Sequence, residues 1–223
     1  GLRESASFLL FPVYTFILVI SLLIVVGLYN IVTGAVPLQA TALPGAAVPG
    51  VSIALILRAF SSGSSSLTGV EAISNAVPFF KKPRAKNAAA TLTMMALILG
   101  FFFVGITFIN YWYGIVPEKE VTVLSQIGKA VFGHGILYYV LQFATALILA
   151  VAANTGFSAF PVLAYNLAKD KFMPHMYQDR GDRLGYSNGI ITLALGSIVL
   201  LFIFHGSTER LIPLYSIGVF IPF

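Results

Sequence analysis

Long runs of apolar residues dominate this sequence and restrict the folds that it can adopt. Six runs can be drawn, at residues 8–33, 51–80, 88–116, 128–160, 187–204 and 208–223. A helix that crosses a bilayer needs about 20 mostly apolar residues, and the alternating segments of about ten residues that are typical of a membrane β-barrel are not seen. The sequence therefore predicts an all-α, polytopic membrane helix bundle, forming one partial transmembrane domain over residues 1–223.

The fourth run continues to Ala168, which is too long for one straight span. We therefore expect it to divide near Pro161 into a membrane helix and a shorter continuation. The chain starts at Gly1 without a methionine and stops at Phe223 inside an apolar run. Both observations indicate a piece of a longer protein.

The composition supports a membrane location. Hydrophobic residues make up 58% of the chain and charged residues only 9%, whereas an average soluble domain is about 25% charged. A protein core built from 223 residues cannot bury so much apolar surface away from water. Lipid must therefore surround much of that surface. The absence of cysteine excludes disulfides and thiolate metal sites.

The net charge is +5, but the basic residues do not form one patch, so we expect no nucleic-acid partner. They are concentrated instead in every second loop: Lys81, Lys82, Arg84 and Lys86 after the second run, and Lys169, Lys171, Arg180 and Arg183 after the fourth. Basic loops face the cytoplasm. The first segment is therefore predicted to run outward, the second inward, and so on to a sixth that runs inward.

The second run is interrupted in its middle by a polar stretch with the sequence SSGSSSLTG at residues 61–69. Glycine destabilises a helix interior by about 1 kcal/mol relative to alanine, and serine competes by bonding its own backbone. At lipid depth, broken backbone is tolerated only inside protein or beside a wet cavity. Many transporters bind ions and substrates at such discontinuous helices, so we predict a broken helix that carries a site.

Thr68 lies in this stretch and Glu71 follows two residues after its end, and the pair allows two compatible interpretations. Thr-x-x-Glu is a capping-box pattern, so both side chains could start a second half-helix. Glu71 is also an intramembrane carboxylate, which is functional by default. Together with serine hydroxyls and freed carbonyls it would form a hard oxygen site for an alkali cation, and it could also bind and release a proton.

The segment FSSGSSSLTGVEAISN at residues 60–75, continued by VPFFKKPRAKNA at 77–88, resembles the sixth helix of amino acid–polyamine–organocation (APC) permeases. More closely, the whole chain resembles the KimA-type potassium importers of the KUP family, as helices five to ten of a twelve-helix protein. The resemblance implies the APC/LeuT-type fold of two inverted five-helix repeats.

The resemblance also implies proton-coupled potassium uptake across the bacterial inner membrane, by a multi-pass protein of the cell membrane. Thr68, Glu71 and Tyr215 match the family's potassium ligands, and Ser65 and Ser66 are further candidates beside them. No cofactor is implied beyond the transported potassium ion and the coupling proton. Besides the lipid bilayer, the implied partners are a second copy in the full-length protein and cyclic di-AMP, both through a C-terminal domain that is absent here.

Asn154 and Ser158 belong to a polar interruption, residues 154–158, in the fourth run. Small polar residues of this kind often join packed helices in membranes. The resemblance implies a second use, because the corresponding eighth helix helps to build another cation site in this fold. Both interpretations stay open.

Four other functions compete with potassium transport, and one of them is a purely structural or regulatory membrane module. An APC-type permease for amino acids or polyamines would share this fold, and the helix that discriminates between them is missing. An intramembrane enzyme would need a nucleophile with a base. No histidine lies in the apolar run that contains the serines of residues 61–66, so we expect no enzyme. A channel would need repeated filter motifs, and none is present.

Overall fold

In this computed structural model, residues 2–39, 52–64, 73, 77–118, 121–179 and 186–220 are described. These ranges contain α1 (Leu2–Val32), α2 (Ile53–Ser64), α3 (Arg84–Trp112), α4 (Val123–Phe132), α5 (Ile136–Lys169), α6 (Ser187–Ile203) and α7 (Thr208–Phe220), with short 3-10 helices at Val77–Phe79 and His175–Tyr177. No strand occurs in the same ranges. The predicted all-α fold is confirmed.

Three of the described helices are long and apolar enough to cross a membrane: Leu10–Val32 within α1, α3 and α5. Helices α4 and α6 are apolar but shorter. Many large apolar side chains are exposed, as along α6, where Phe202 is 77% and Ile203 61% exposed. Apolar surface on this scale is unusual for a protein in water and is expected for one in lipid.

The chain divides into two compact units, residues 1–145 and 146–223, with the boundary inside α5. In the first unit α1 and α3 pack along their lengths, and the contacting pairs advance together: Phe16 with Phe102, Ile24 with Gly105, Gly27 with Ile109, and Asn30 with Tyr113. Residue numbers that rise together on both helices mean that α1 and α3 run parallel.

Two glycines bring α1 and α3 close together. A Cβ built on Gly105 would lie 2.8 Å from Ile24 Cδ1 and 2.9 Å from its Cγ2, and one built on Gly27 would lie 2.7 Å from Ile109 Cδ1. Ile24 is 1% exposed and Ile109 is fully buried. Each isoleucine therefore fills a notch that only glycine leaves open on the other helix.

The carboxyl end of α3 is fixed by the chain that follows α1. The Gln39 backbone N–H donates to the Trp112 carbonyl at 3.0 Å, and Trp112 Nε1 donates to the Val36 carbonyl at 3.2 Å. Gly114 has a φ of +61°, a conformation that glycine adopts at little cost. The last turn of α3 is therefore bonded to the segment beyond α1 in the same unit.

A bend separates α4 from α5, so the helix boundary in the fourth apolar run differs from the predicted one. Thr122 Oγ1 accepts from the Ser125 N–H at 3.2 Å and caps α4, and Gly133, with a φ of +65°, ends it. Gly128 lets α5 approach, because a Cβ there would overlap Leu141. The run divides at residues 133–135 and not near Pro161, since glycine adopts the required left-handed backbone.

Helix α5 continues through Pro161, which lies inside it. In the second unit Gly189 of α6 packs on this proline, and a Cβ on Gly189 would lie 2.8 Å from Pro161 Cα. One turn away, the rings of Tyr165 and Tyr186 stack with centroids 4.5 Å apart. From the first pair to the second, the residue number rises on α5, from 161 to 165, and falls at α6, from 189 to 186. Helices α5 and α6 are therefore antiparallel.

The linker between α5 and α6 is bonded to both helices. Gln178 Nε2 donates to the Ala168 carbonyl at 2.7 Å, at the end of α5, and Asn188 Nδ2 of α6 donates to the Met176 carbonyl at 2.6 Å. The Tyr177 ring is buried, and its hydroxyl lies 3.0 Å from Thr192 Oγ1. These bonds hold the described part of the linker, residues 170–179, against the second unit.

Candidate functional site

Helix α2 carries the start of the predicted broken segment. Ser52 caps it, because its Oγ accepts from the Leu55 N–H at 3.2 Å and its carbonyl accepts from the Ile56 N–H at 3.1 Å. This side-chain bond satisfies one of the donors left open at a helix start. The helix is described as far as Ser64, and Ser61 within it is half-buried.

Four predicted ligands, Ser65, Ser66, Thr68 and Glu71, lie outside the described residues. Their assignment to a cation site stays a prediction. The parts of the connection between α1 and α3 that the structure describes include α2 (Ile53–Ser64) and the 3-10 helix Val77–Phe79, which lie on either side of these residues in the sequence.

Tyr215, the predicted ligand on the last helix, lies in the second half of α7, two residues after Pro213. Its side chain is 48% exposed, whereas the neighbouring Ser216 is 5% exposed. Ser216 Oγ donates to the Ile212 carbonyl at 3.0 Å, one turn back. The tyrosine thus lies on an accessible face of α7, and the adjacent serine is satisfied within its own helix.

Asn154 and Ser158 lie one turn apart on α5, and both are exposed. Ser158 Oγ donates to the Asn154 carbonyl at 2.9 Å, and Thr155 Oγ1 donates to the Val151 carbonyl at 3.1 Å. Hydroxyls bonded in this way to the preceding turn often bend a helix. The hydroxyl oxygens keep lone pairs that could bind a cation or accept a hydrogen bond from a neighbouring helix. Both interpretations of this segment therefore stay open.

The structure brings Asn154 and Ser158 together on one helix and places Tyr215 on another within the same unit. The assignment of these three residues to a cation site stays a prediction.

A half-buried polar cluster at the α4–α5 bend was not predicted from the sequence. Ser125 Oγ lies 3.0 Å from the Tyr138 hydroxyl and also accepts a hydrogen bond from Gln142 Nε2. The spacing of Tyr138 and Gln142, one helical turn apart in an apolar run, was the available signal. Because Ser125 reaches both, this cluster fixes the angle between α4 and α5.

Comparison with known proteins decides the family. The family model described as "Amino acid permease" matches residues 1–223, which is the whole chain. The chain belongs to the amino acid permease family. It is also 57% identical over 225 residues to the potassium transporter KimA of Bacillus subtilis (strain 168). That alignment covers 100% of this chain and 37% of the relative, so the chain spans little more than a third of the relative's length.

Membership of the permease family, together with the long apolar helices, makes this chain part of a multi-pass membrane protein of the cell membrane. The predicted resemblance to APC permeases and to KimA-type importers is confirmed. The described helices are those expected of a partial bundle of this family.

Proposed function

We propose that this chain is part of a secondary active transporter that takes up potassium together with protons. The observation that carries the proposal is the 57% identity to a potassium transporter over the full length of the chain. At this identity the chain and the relative share more than half of their aligned residues. The candidate membrane spans in α1, α3 and α5 support it further, because a transporter must cross the bilayer several times.

The proposed ion site combines Thr68 and Glu71 of the second run with Tyr215 of α7. A carboxylate, a hydroxyl and a phenolic oxygen are hard ligands, which suit an alkali cation. Ser65 and Ser66 would supply further oxygens, and Asn154 and Ser158 are candidates for a second site on α5. Glu71 is also the proposed proton carrier, since a carboxylate that gains a proton no longer attracts a cation.

The second candidate is a permease for amino acids or polyamines, which the name of the matching family favours. We place it second because an amino acid brings its own carboxylate, which Glu71 would repel, whereas a bare cation is attracted. A polyamine is cationic and needs a direct test. We also propose that the protein is a transporter without enzymatic activity or cofactor, and that the full-length protein dimerises and responds to cyclic di-AMP only through a C-terminal domain.

The experiment is rubidium uptake by cells that lack their own potassium importers and express the full-length protein. The wild type should support growth at micromolar potassium and take up rubidium. Glu71→Gln removes a charged ligand, whose loss costs about 1.5–3 kcal/mol, so we expect uptake to fall by roughly tenfold or more. Glu118→Gln is the matched control, because Glu118 is an exposed carboxylate beyond the end of α3.

Membrane abundance of each variant is measured by fluorescence of a fused reporter, so that loss of protein is separated from loss of transport. Rubidium uptake by Glu71→Gln at the level of Glu118→Gln would contradict the role of Glu71. Failure of the wild type to restore growth, with uptake of a labelled amino acid or polyamine instead, would favour the second candidate.

A further inference from the structure

The strongest charged surface among the described residues is the segment 81–86, which we call the basic segment. It contains Lys81, Lys82, Arg84 and Lys86, and all four side chains are exposed. Among the side chains that the structure describes in the first unit, the acidic one is Glu118, which follows the opposite end of α3. The four positive charges are therefore not neutralised by described side chains of their own unit.

The basic segment is held in one place at the start of α3. Asn87 Nδ2 donates to the Lys81 carbonyl at 2.9 Å, and the Asn87 N–H donates to the Pro83 carbonyl at 3.1 Å. On the other side, the Phe80 N–H donates to the Val77 carbonyl at 3.2 Å. The backbone that carries the charges is thus bonded at both ends, so their side chains start from fixed positions.

The segment also lies at the membrane boundary. Helix α3 begins at Arg84 and is a candidate span over its full length. Met94 and Leu97, which are 65% and 69% exposed, follow about 15 and 20 Å further along the helix at 1.5 Å per residue. Since those side chains belong in hydrocarbon, the basic segment lies at headgroup level. By the positive-inside rule this is the cytoplasmic leaflet, whose surface carries anionic lipids.

The charges conflict with the helix that they start. The first turn of α3 contains Arg84 and Lys86 and no acidic residue, and Pro83 provides no side-chain cap. Basic residues are unfavourable at the positive end of a helix dipole, where anions are favourable. A local arrangement that costs stability often marks a functional position, and here an anion outside the protein would relieve the conflict.

We propose that the basic segment is a binding surface for anionic phospholipid headgroups of the cytoplasmic leaflet. The phosphate and negative charge of a lipid such as phosphatidylglycerol complement four exposed cations placed at headgroup depth. A zwitterionic lipid presents no net charge and should bind there less well. The proposal is independent of which solute the protein transports.

The test uses the purified full-length protein in detergent, to which phosphatidylglycerol and phosphatidylcholine of equal chain length are added together. Native mass spectrometry then gives the ratio of the two lipids bound. The variant is Lys81→Gln with Lys82→Gln, because these lysines precede α3 and leave its hydrogen bonds and the charges of Arg84 and Lys86 in place. Each basic residue near an anionic surface strengthens binding by roughly fivefold, so this pair should lower the ratio roughly 25-fold.

Three controls make the result specific. Lys169→Gln with Lys171→Gln removes the same charge from another predicted cytoplasmic loop and should change the ratio less than twofold. Lys81→Arg with Lys82→Arg keeps the charge and should keep the ratio. Inorganic phosphate at 10 mM, roughly the concentration at which a free phosphate site would fill, should not displace the lipid, because the acyl chains hold the headgroup at this depth.

An unchanged ratio in the Lys81→Gln and Lys82→Gln variant would overturn the proposal. An equal loss in the Lys169→Gln and Lys171→Gln variant would also overturn it, because the effect would then follow from net charge and not from this surface. Displacement of the lipid by phosphate would show a free anion site in place of a lipid surface.

Discussion

Replacing Gly105 by alanine tests how α1 and α3 are held together. The new methyl group would lie 2.8, 2.9 and 3.1 Å from the Cδ1, Cγ2 and Cγ1 atoms of Ile24. Two of those atoms are attached to Cβ, and a β-branched side chain in a helix has one strongly preferred χ1 rotamer. Ile24 is buried and cannot turn away, so the two helices must separate.

Overpacking of this kind costs about 1–3 kcal/mol, and alanine recovers up to about 1 kcal/mol over glycine inside a helix. Because Ile24 is rigid, we expect the upper part of that range, and hence a net loss of about 1–2 kcal/mol in the free energy of unfolding. Gly27→Ala should cost less, since its closest contact is Cδ1 at the free end of Ile109, which one further bond rotation can move.

The assay is equilibrium unfolding of the full-length protein in mixed micelles, with Gly100→Ala as a control on the same helix, because a Cβ on Gly100 meets nothing within 4 Å. In the Ile24→Ala background all three contacted atoms are gone, so Gly105→Ala should no longer destabilise. Side chains in contact show couplings of about 0.5–3 kcal/mol. Strictly additive losses in the double variant would refute the proposed packing.

Two further substitutions test polar contacts, and the same unfolding assay measures both. Ser125→Ala should lower the free energy of unfolding by about 1–3 kcal/mol, because it leaves the partly buried Tyr138 hydroxyl and the Gln142 amide without their described partner; a change below about 0.5 kcal/mol would contradict a structural role. Tyr177→Phe removes the bond to Thr192 and should cost about 0.5–1.5 kcal/mol. Tyr139→Phe removes a hydroxyl from an exposed tyrosine and keeps the ring contact with Tyr138, so it serves as the control.

The helices of this fold could be predicted from the sequence because apolar length depends on composition alone. The predicted run 187–204 corresponds to α6 over Ser187–Ile203, since nothing except lipid solvation is needed to specify it. The position of the helix boundary in the fourth run is harder to predict. Gly133 and Gly135 flank its actual bend, a turn signal that the apolar residues on both sides obscure.

At Pro161 the sequence predicts a helix boundary that the structure does not have. A proline inside a helix removes a hydrogen bond and crowds the preceding turn, which is the reason for predicting a division there. In the structure Pro161 lies inside a continuous α5, and Gly189, which is 28 residues away, lets α6 pack directly on the proline. A contact between helices distant in sequence is not visible from local composition.

For the functional residues too, features of the local sequence could be predicted, whereas contacts between residues distant in the sequence could not. Glu71 stands out in the sequence, because a carboxylate within an apolar run is costly and therefore informative. The Ser125 cluster stands out less, because the spacing of Tyr138 and Gln142 gives no indication of Ser125, which lies on another helix. Only the bend at Gly133 brings their side chains together.

The parallel arrangement of α1 and α3 bears directly on the broken helix. Both helices advance in the same direction, and residues 51–80 form the apolar run that lies between them in the sequence. As one continuous helix, those 30 residues would measure about 45 Å, whereas the hydrocarbon core is about 30 Å thick. The run thus exceeds a straight crossing by about ten residues, close to the length of the polar stretch at 61–69. This excess length comes from the sequence alone and agrees with the predicted interruption of the helix at residues 61–69, which stays a prediction because residues 65–69 lie outside the described ranges.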